Sequence, residues 1–323
     1  MSNKIFDVIK SDLTGLEIAL QEAVESPVDV ITEIGSHLIK SGGKRLRPAM
    51  FFLAARCGKD YDHKRVMPLG AALEIIHMAS LVHDDVLDSA TTRRGQITAN
   101  AKWGNQLAVL AGDYLFAKAF TMVAERNYGS LVELQLARLL TDLSAGELIQ
   151  NKEIFKASCD TEEYYRRIAM KTANFLAISC QLGAHVGGLP ENEVQALYDY
   201  GYSVGMAFQL TDDLLDITGD AATIGKPAGN DILQGIITLP AIRALETSPD
   251  REELLSIVTD RHMAKDRLER ALEIVKASDG VEFTKAKVEE YLARAKAVLP
   301  DTMPADIRDT YYMAADFISG RKF

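Results

Sequence analysis

The sequence predicts an all-α fold, and three observations carry that expectation. Apolar residues recur at helical rather than alternating spacing over Phe6–Val24, Leu69–Leu87, Leu107–Val123, Leu131–Ile149, Tyr164–Val186 and Val194–Ile217. The 9 prolines and 22 glycines gather at the boundaries and leave those stretches long. No segment alternates as a strand does, and no hairpin signal is visible. Several helices run long and are apolar on more than one face, as helices in the centre of a bundle are. The expected architecture is a single large bundle of about ten or more helices around a deep central cavity. No linker divides residues 1–323, so one domain is expected.

Composition narrows the function. Hydrophobic residues at 47% and charged residues at 25% describe an ordinary globular chain. A net charge of -10 argues against a nucleic-acid partner, which needs a basic face. An acidic protein that binds an anion must use metals or local basic clusters. Cys57, Cys159 and Cys180 are odd in number and widely spaced, which fits neither a disulfide framework nor a zinc site. The start MSNKIFDVIKSDL lacks a signal-peptide core, and no run of apolar residues suggests a membrane span. A reducing cytoplasm is the expected setting.

Taken in order, the first motif is Ser41-Gly42-Gly43-Lys44-Arg45-Leu46-Arg47-Pro48. The glycines end a helix and let backbone approach a ligand. The cations behind them suit either a helix C-terminus or a phosphate. Next comes HMASLVHDDVLDSATTRR, from His77 to Arg94. Asp84 and Asp88 lie one helical turn apart, beside Asp85, with no cation in the stretch between them. Like charges at that spacing destabilise a helix, so a hard divalent cation is the natural compensation. Mg²⁺ takes one or two carboxylates, waters and phosphate oxygens, and Arg93 and Arg94 are phosphate binders. His77 lies about two turns before Asp84 on a similar face. It is read as a site residue, against the plainer reading of a core histidine. His83 and Asp113 are expected to be structural, and Trp103 a packing anchor.

Further along, SAGELIQ offers small residues for close packing, with Glu147 and Gln150 as weak candidates for the cavity. Lys171 and Thr172 lie inside a helix, where a lysine is commonly solvated. Asp160-Thr161 and Pro190-Glu191 read as helix starts, and Gly187 to Pro190 as a stop. FQLTDDLLD repeats the acidic spacing at Asp212, Asp213 and Asp216. Two DDxxD clusters facing each other make a cage for two or three Mg²⁺ ions around one diphosphate. The segment TGDAATIGKPAGNDILQG is glycine-rich and carries Lys226, which predicts a lid. From Leu239 onward the chain is helical and charged.

This ordered set resembles the trans-prenyl diphosphate synthase family over nearly the whole chain: GGKRLRP, DDVLD with RR behind it, then DDLLD. Within that family HMASLVHDDVLD, AKWGNQ, GDYLFA, SCQLGA and GKPAGNDILQG are most similar to the large catalytic subunit of heteromeric heptaprenyl diphosphate synthases. The resemblance implies that Lys44, Arg47, His77 and Arg94 hold isopentenyl diphosphate. It places Arg93, Lys171, Thr172, Gln209 and Lys226 on the allylic diphosphate, and Mg²⁺ on Asp84, Asp88, Asp212 and Asp216. The reaction it implies is ionisation of the allylic diphosphate, attack by the isopentenyl double bond and loss of a proton, with no protein nucleophile. The product is expected to serve the menaquinone side chain.

The family often has a lysine after the glycine matching Gly235, where this chain has Ile236. That departure and the closer likeness imply a small helical partner (component I) and/or a homodimer. Two rivals stand beside this reading. A class I terpene cyclase usually carries an Asn/Ser/Glu second cluster and lacks a GGKRLRP-like segment. A non-catalytic subunit tends to lose the acids, and all six are present here.

Product length is read from one helix. The growing tail runs from Asp84 back toward Pro68 along an apolar face. Each isoprene unit adds about one helical turn, ~5.4 Å. Ala79 and Ser80 are small one turn below the acids, and Ile76, Ile75 and Leu73 lie deeper as a floor. Roughly 30 Å of helix admits about six units, hence a product of about C30–C35.

Overall fold

In the computed structural model, which describes residues 5–156, 160–219 and 228–320, the segments with helical spacing are helices. In chain order they are α1 (Lys10–Ala23), α2 (Asp29–Lys40), α3 (Leu46–Arg56), α4 (His63–Leu87), α5 (Ala99–Trp103), α6 (Asn105–Ala124), α7 (Ser130–Glu153), α8 (Thr161–Ile168), α9 (Asn174–Val186) and α10 (Glu191–Thr218). Then follow α11 (Asn230–Leu233), α12 (Leu239–Thr247), α13 (Arg251–Val258), α14 (Arg261–Asp266), α15 (Leu268–Ala277), α16 (Gly280–Ala297) and α17 (Ala305–Ser319). The all-α expectation holds. Both helix starts are where they were expected. The Asp160 side chain accepts from Glu162 N at 2.9 Å, and α10 begins at Glu191.

The chain divides into two compact units. One is Met1–Ala137, Ile178–Tyr198 and Pro300–Thr310; the other is Arg138–Ala177, Asp199–Leu299 and Tyr311–Phe323. In the first, α4 packs chiefly on α6, with α1 and α3 also against it. A core of Ile34, Val82, Ala99, Ala108 and Ala111 ties α2, α4, α5 and α6 together. Trp103 packs on that core with its ring edge-on to His37 at 5.2 Å, the anchoring role expected of it. His83 likewise serves packing: Nε2 bonds Val109 O at 3.1 Å, and its ring fills the space over Gly112. In the second unit, α12 packs on α16 and α13 against α14 and α15.

Four expectations need correction. Thr92–Arg93 and Gln96–Ile97 pair as two short antiparallel strands, β1 and β2, where no strand was expected. α4 begins at His63 rather than Leu69, because Asp62 caps it by accepting from Lys64 N at 3.0 Å, and it carries Pro68 inside. The helix expected over Tyr164–Val186 is interrupted by a π-helical turn, Ala169–Ala173. Finally, α4 and α6 are each long and apolar enough to cross a membrane. The apolar window of α4 is 72% buried inside the protein and that of α6 only 33%. Cys159 and the segment 220–227, with Gly225 and Lys226 of the expected lid, lie outside the described residues. Just beyond that segment the chain forms the short α11.

α9 reaches α3 closely through a glycine: a Cβ on Gly183 would lie 2.2 Å from the Phe51 carbonyl oxygen. The obstacle is backbone, so it cannot swing aside. Gly183→Ala is expected to destabilise the fold by about 1–3 kcal/mol, the usual cost of overpacking. Denaturant titration measures this, and an unchanged midpoint would refute the close approach.

Candidate active site

The carboxylates at the end of α4 are not equivalent. Asp85 is 3% exposed and accepts from Arg93 Nε at 2.7 Å. Asp84 is half-buried and Asp88 exposed, one turn apart, as the spacing required. Arg93 reaches back because the chain after α4 folds into a hairpin. Arg94 and Gly95 form its two-residue turn with φ of 53° and 76°, the signature of a type I′ turn. Arginine in place of the usual Asn or Asp hid this turn in the sequence, although Gly95 stands at its second position. Asn100 Nδ2 clamps the hairpin's base by donating to Asp85 O at 3.2 Å and Ala90 O at 3.0 Å. His37 Nε2 donates to Ile97 O at 2.7 Å, which secures the second strand to α2.

The glycine-rich loop meets this hairpin. Arg94 Nη1 donates to Gly42 O, and an added Cβ on Gly43 would lie 2.6 Å from the same nitrogen. Gly43 thus lies directly under the Arg94 guanidinium, the mobile end of a long side chain. Arg47 Nη1 lies 3.2 Å from His77 Nε2. A guanidinium only donates, so Nε2 is the acceptor and the His77 proton sits on Nδ1. Burial, then the charges of Arg47, Arg94 and Arg93, hold the His77 imidazole well below its ordinary range. Burial also lowers Arg47 to about 10, which leaves it charged at neutral pH. Arg45 pairs with Glu17 and Glu74. One pocket is lined by Gly42, Glu74, His77, Asp85, Arg93 and Arg94, among others. Four of the sequence-predicted phosphate ligands, His77, Arg47, Arg93 and Arg94, thus lie at or beside one site.

In the second unit the middle acid is again the buried one. Asp213 is 3% exposed, and the hydroxyl of Tyr164 and Gln209 Nε2 (2.9 Å) both donate to it. Burial pushes Asp213 up to about 6 against those two donors. Gln209 Oε1 accepts from Thr172 Oγ1 at 2.8 Å, so two predicted allylic contacts are linked. Asp212 is half-buried one residue away. Asp216 accepts from the backbone N–H of Asn230 and Asp231, each at 3.1 Å, and so braces the start of α11. Lys171 Nζ is bonded to Glu147 and to Gln150 Oε1 at 3.0 Å, which gives both SAGELIQ polar residues a task. Lys171 and Thr172 both lie on the π-turn, a feature frequent at functional sites.

Sequence reasoning missed Glu74, Tyr164 and the pairing of Asp85 with Arg93. Glu74, an acid inside an apolar run, was a visible signal; the other two depend on tertiary contact. Of the chain-length residues, Ala79 and Ile76 have no exposed surface. Ser80 keeps some, and its hydroxyl donates to His77 O at 2.9 Å.

The donor chemistry fits a hard divalent ion. Among the described residues no three His, Cys, Asp or Glu side chains form a closed metal cage. Outer carboxylates one turn apart beside arginines match a site completed by water and phosphate oxygens.

A model of the polyprenyl synthetase family matches residues 28–275. The chain belongs to that family. It is a prenyl-transferring enzyme. It is 40% identical to heptaprenyl diphosphate synthase component 2 of Geobacillus stearothermophilus, over 93% of this chain and 92% of that protein. It is 35% identical to octaprenyl diphosphate synthase of Escherichia coli K12, over 93% of each. Among solved structures, the polyprenyl synthase from Caulobacter crescentus CB15, complexed with calcium and isoprenyl diphosphate, superimposes with a TM-score of 0.92. It is 34% identical, over 100% of this chain and 98% of that one.

One pH prediction follows from the Arg47–His77 contact. The folded pKa of His77 is depressed below the ordinary ~6.5, so the stability of the neutral ring is present above that pH and is lost as pH falls through the folded value. An NMR titration of the His77 ring is expected to show no midpoint near ~6.5. An ordinary midpoint would contradict the acceptor role.

Proposed function

We propose that this chain is a Mg²⁺-dependent trans-polyprenyl diphosphate synthase, with residues 1–323 acting as one synthase domain. It adds isopentenyl diphosphate successively to an allylic diphosphate. The observation that carries this reading is the pocket beside α4. There His77, Arg93 and Arg94 line the pocket with Asp85, the acid between Asp84 and Asp88 in sequence, and Arg47 is bonded to His77. Lys44, Arg47, His77 and Arg94 take isopentenyl diphosphate. His77 serves as the neutral acceptor that orients Arg47. Arg93, Lys171, Thr172, Gln209 and Lys226 serve the allylic diphosphate. Asp84, Asp88 and Asp212, with Asp216, hold two or three Mg²⁺ ions, as the paired acidic spacing suggests. When bound, those ions draw charge from the departing diphosphate. The residues' own work is to orient both diphosphates and keep water from the allylic cation.

The partner reading has two supports. The Geobacillus relative is named as one component of its synthase. On α6, Leu107, Val109 and Leu110 are 38%, 38% and 56% exposed, which suits coverage by a small helical subunit and/or a second copy. A cytoplasmic enzyme supplying the menaquinone side chain is the setting proposed.

The deciding assay follows labelled isopentenyl diphosphate onto farnesyl diphosphate with Mg²⁺, with and without the partner. Elongation is expected, and Asp84→Ala and Asp212→Ala are each expected to lose several orders of magnitude in turnover with unchanged melting. Retention of more than about a tenth of wild-type turnover by either variant refutes the metal assignment.

The second prediction concerns length. We assign a product of about C30–C35 by counting roughly one turn of α4 per unit. At the Pro68 end of α4 an open groove is bordered by Ala23, Met67, Pro68 and Met122 and by the charged side chains of Glu22, Lys64, Lys118, Glu125 and Arg126. Ser80→Phe and Ala79→Tyr are expected to shorten the product, and the Ser80 change to do so at lower cost to packing. Chromatography of dephosphorylated products reads this, and unshortened products from an active Ser80→Phe enzyme would place the tail elsewhere.

A further inference from the structure

α4 buries one carboxylate in its most apolar stretch. Glu74 stands between Leu73 and Ile75, both with no exposed surface, and is itself 3% exposed. Burying an ionised carboxylate is costly. Replacing a buried ion pair by apolar side chains of similar volume is often neutral or stabilising. Packing alone therefore gives no reason for a glutamate at this position, whereas its contacts do.

Glu74 Oε1 accepts from Arg45 Nη1 at 2.8 Å. The same guanidinium donates to both carboxylate oxygens of Glu17, at 2.7 and 3.2 Å, and to Ile39 O at 3.2 Å. One side chain thus joins α1, the end of α2 and α4. Its own backbone is left-handed, with φ 47°, so the loop is held in a conformation a non-glycine residue rarely adopts. Lys44 precedes Arg45 and Arg47 lies two residues beyond it. Glu74 also lines the pocket with His77 and Arg94, and its charge favours the charged forms of Arg47 and Arg94.

We propose that Glu74 is a positioning residue for isopentenyl diphosphate: through Arg45 it fixes the loop that presents Lys44 and Arg47, without touching the substrate. The inference rests on the assignment of that loop to isopentenyl diphosphate made above. The physical reason is preorganisation. Two flexible cations that must be ordered on binding subtract that ordering from affinity, whereas cations already in place do not. Glu74 is a counter-charge that can hold them without occupying the phosphate position.

The test is calorimetric titration of isopentenyl diphosphate into the full-length chain, with melting temperature measured alongside. Four proteins are compared: wild type, Arg47→Ala, Glu74→Gln and the double Arg45→Met/Glu74→Leu. Arg47→Ala checks the underlying assignment. If it binds like wild type, the loop is not the isopentenyl site and both readings fall. The double variant removes both buried charges at once, so it is expected to melt at or above wild type. It is nevertheless expected to bind isopentenyl diphosphate about tenfold to a hundredfold more weakly, the usual effect of small misplacement. Glu74→Gln keeps an acceptor for Arg45 but loses the charge, and a smaller weakening is expected. Unchanged or tighter binding in a double variant that melts like wild type overturns the proposal. If the double variant melts low, Glu74→Gln decides: weakening supports the role, and wild-type affinity overturns it.

Discussion

The ion pair between Asp85 and Arg93 is the interaction on which the chemistry of the first unit depends. A carboxylate at the end of an apolar helix, 3% exposed, is stable as an ion only if it is bonded. Arg93 supplies that bond at 2.7 Å. Exposed pairs of this kind contribute about 0–1 kcal/mol, but leaving a buried partner unpaired costs about 3–5 kcal/mol. Asp85 is on the buried side of that distinction. The pair also draws the hairpin against α4, and the hairpin carries Arg94. Of the three acids, Asp85 is buried and paired, Asp84 half-buried and Asp88 exposed.

The same division recurs at the second acidic cluster with different partners. Asp213 is bonded by neutral donors, Tyr164 and Gln209, instead of a cation. Neutral donors offset less of the desolvation, and burial accordingly pushes Asp213 up to about 6. The network extends through Gln209 to Thr172, on the π-turn. A π-turn widens the helix by one residue and shifts the faces of everything after it. Here it sets Lys171 beside Glu147, so that this lysine is held within the unit by a carboxylate.

Cations in the first unit are managed by neighbours that only accept. His77 stays neutral and accepts a hydrogen bond from Arg47; Gly42 offers its carbonyl to Arg94; Glu74 and Glu17 accept from Arg45. Several guanidinium groups gather within one small pocket. Such a gathering is tolerable because each has an acceptor within the protein.

By itself the sequence determined the all-α fold, the family and the residue types of the site. Helical spacing and the two DDxxD patterns are local properties, legible because i and i+4 share a face in any helix. The glycine pair and the arginines were legible for the same reason. Which acid of each triplet turns inward was not, since all three are chemically identical and only Arg93, Tyr164 and Gln209, brought from other elements, distinguish them. The hairpin was hidden because Arg94 adopts a positive φ that its side chain disfavours and that tertiary bonds to Gly42 and Asp85 impose on its neighbourhood. Glu74 was readable as an anomaly in an apolar run, but its partner Arg45 lies 29 residues away. Tertiary structure decided these matters because a buried charge takes its meaning from the groups packed around it, and those are set by the fold rather than by adjacent sequence.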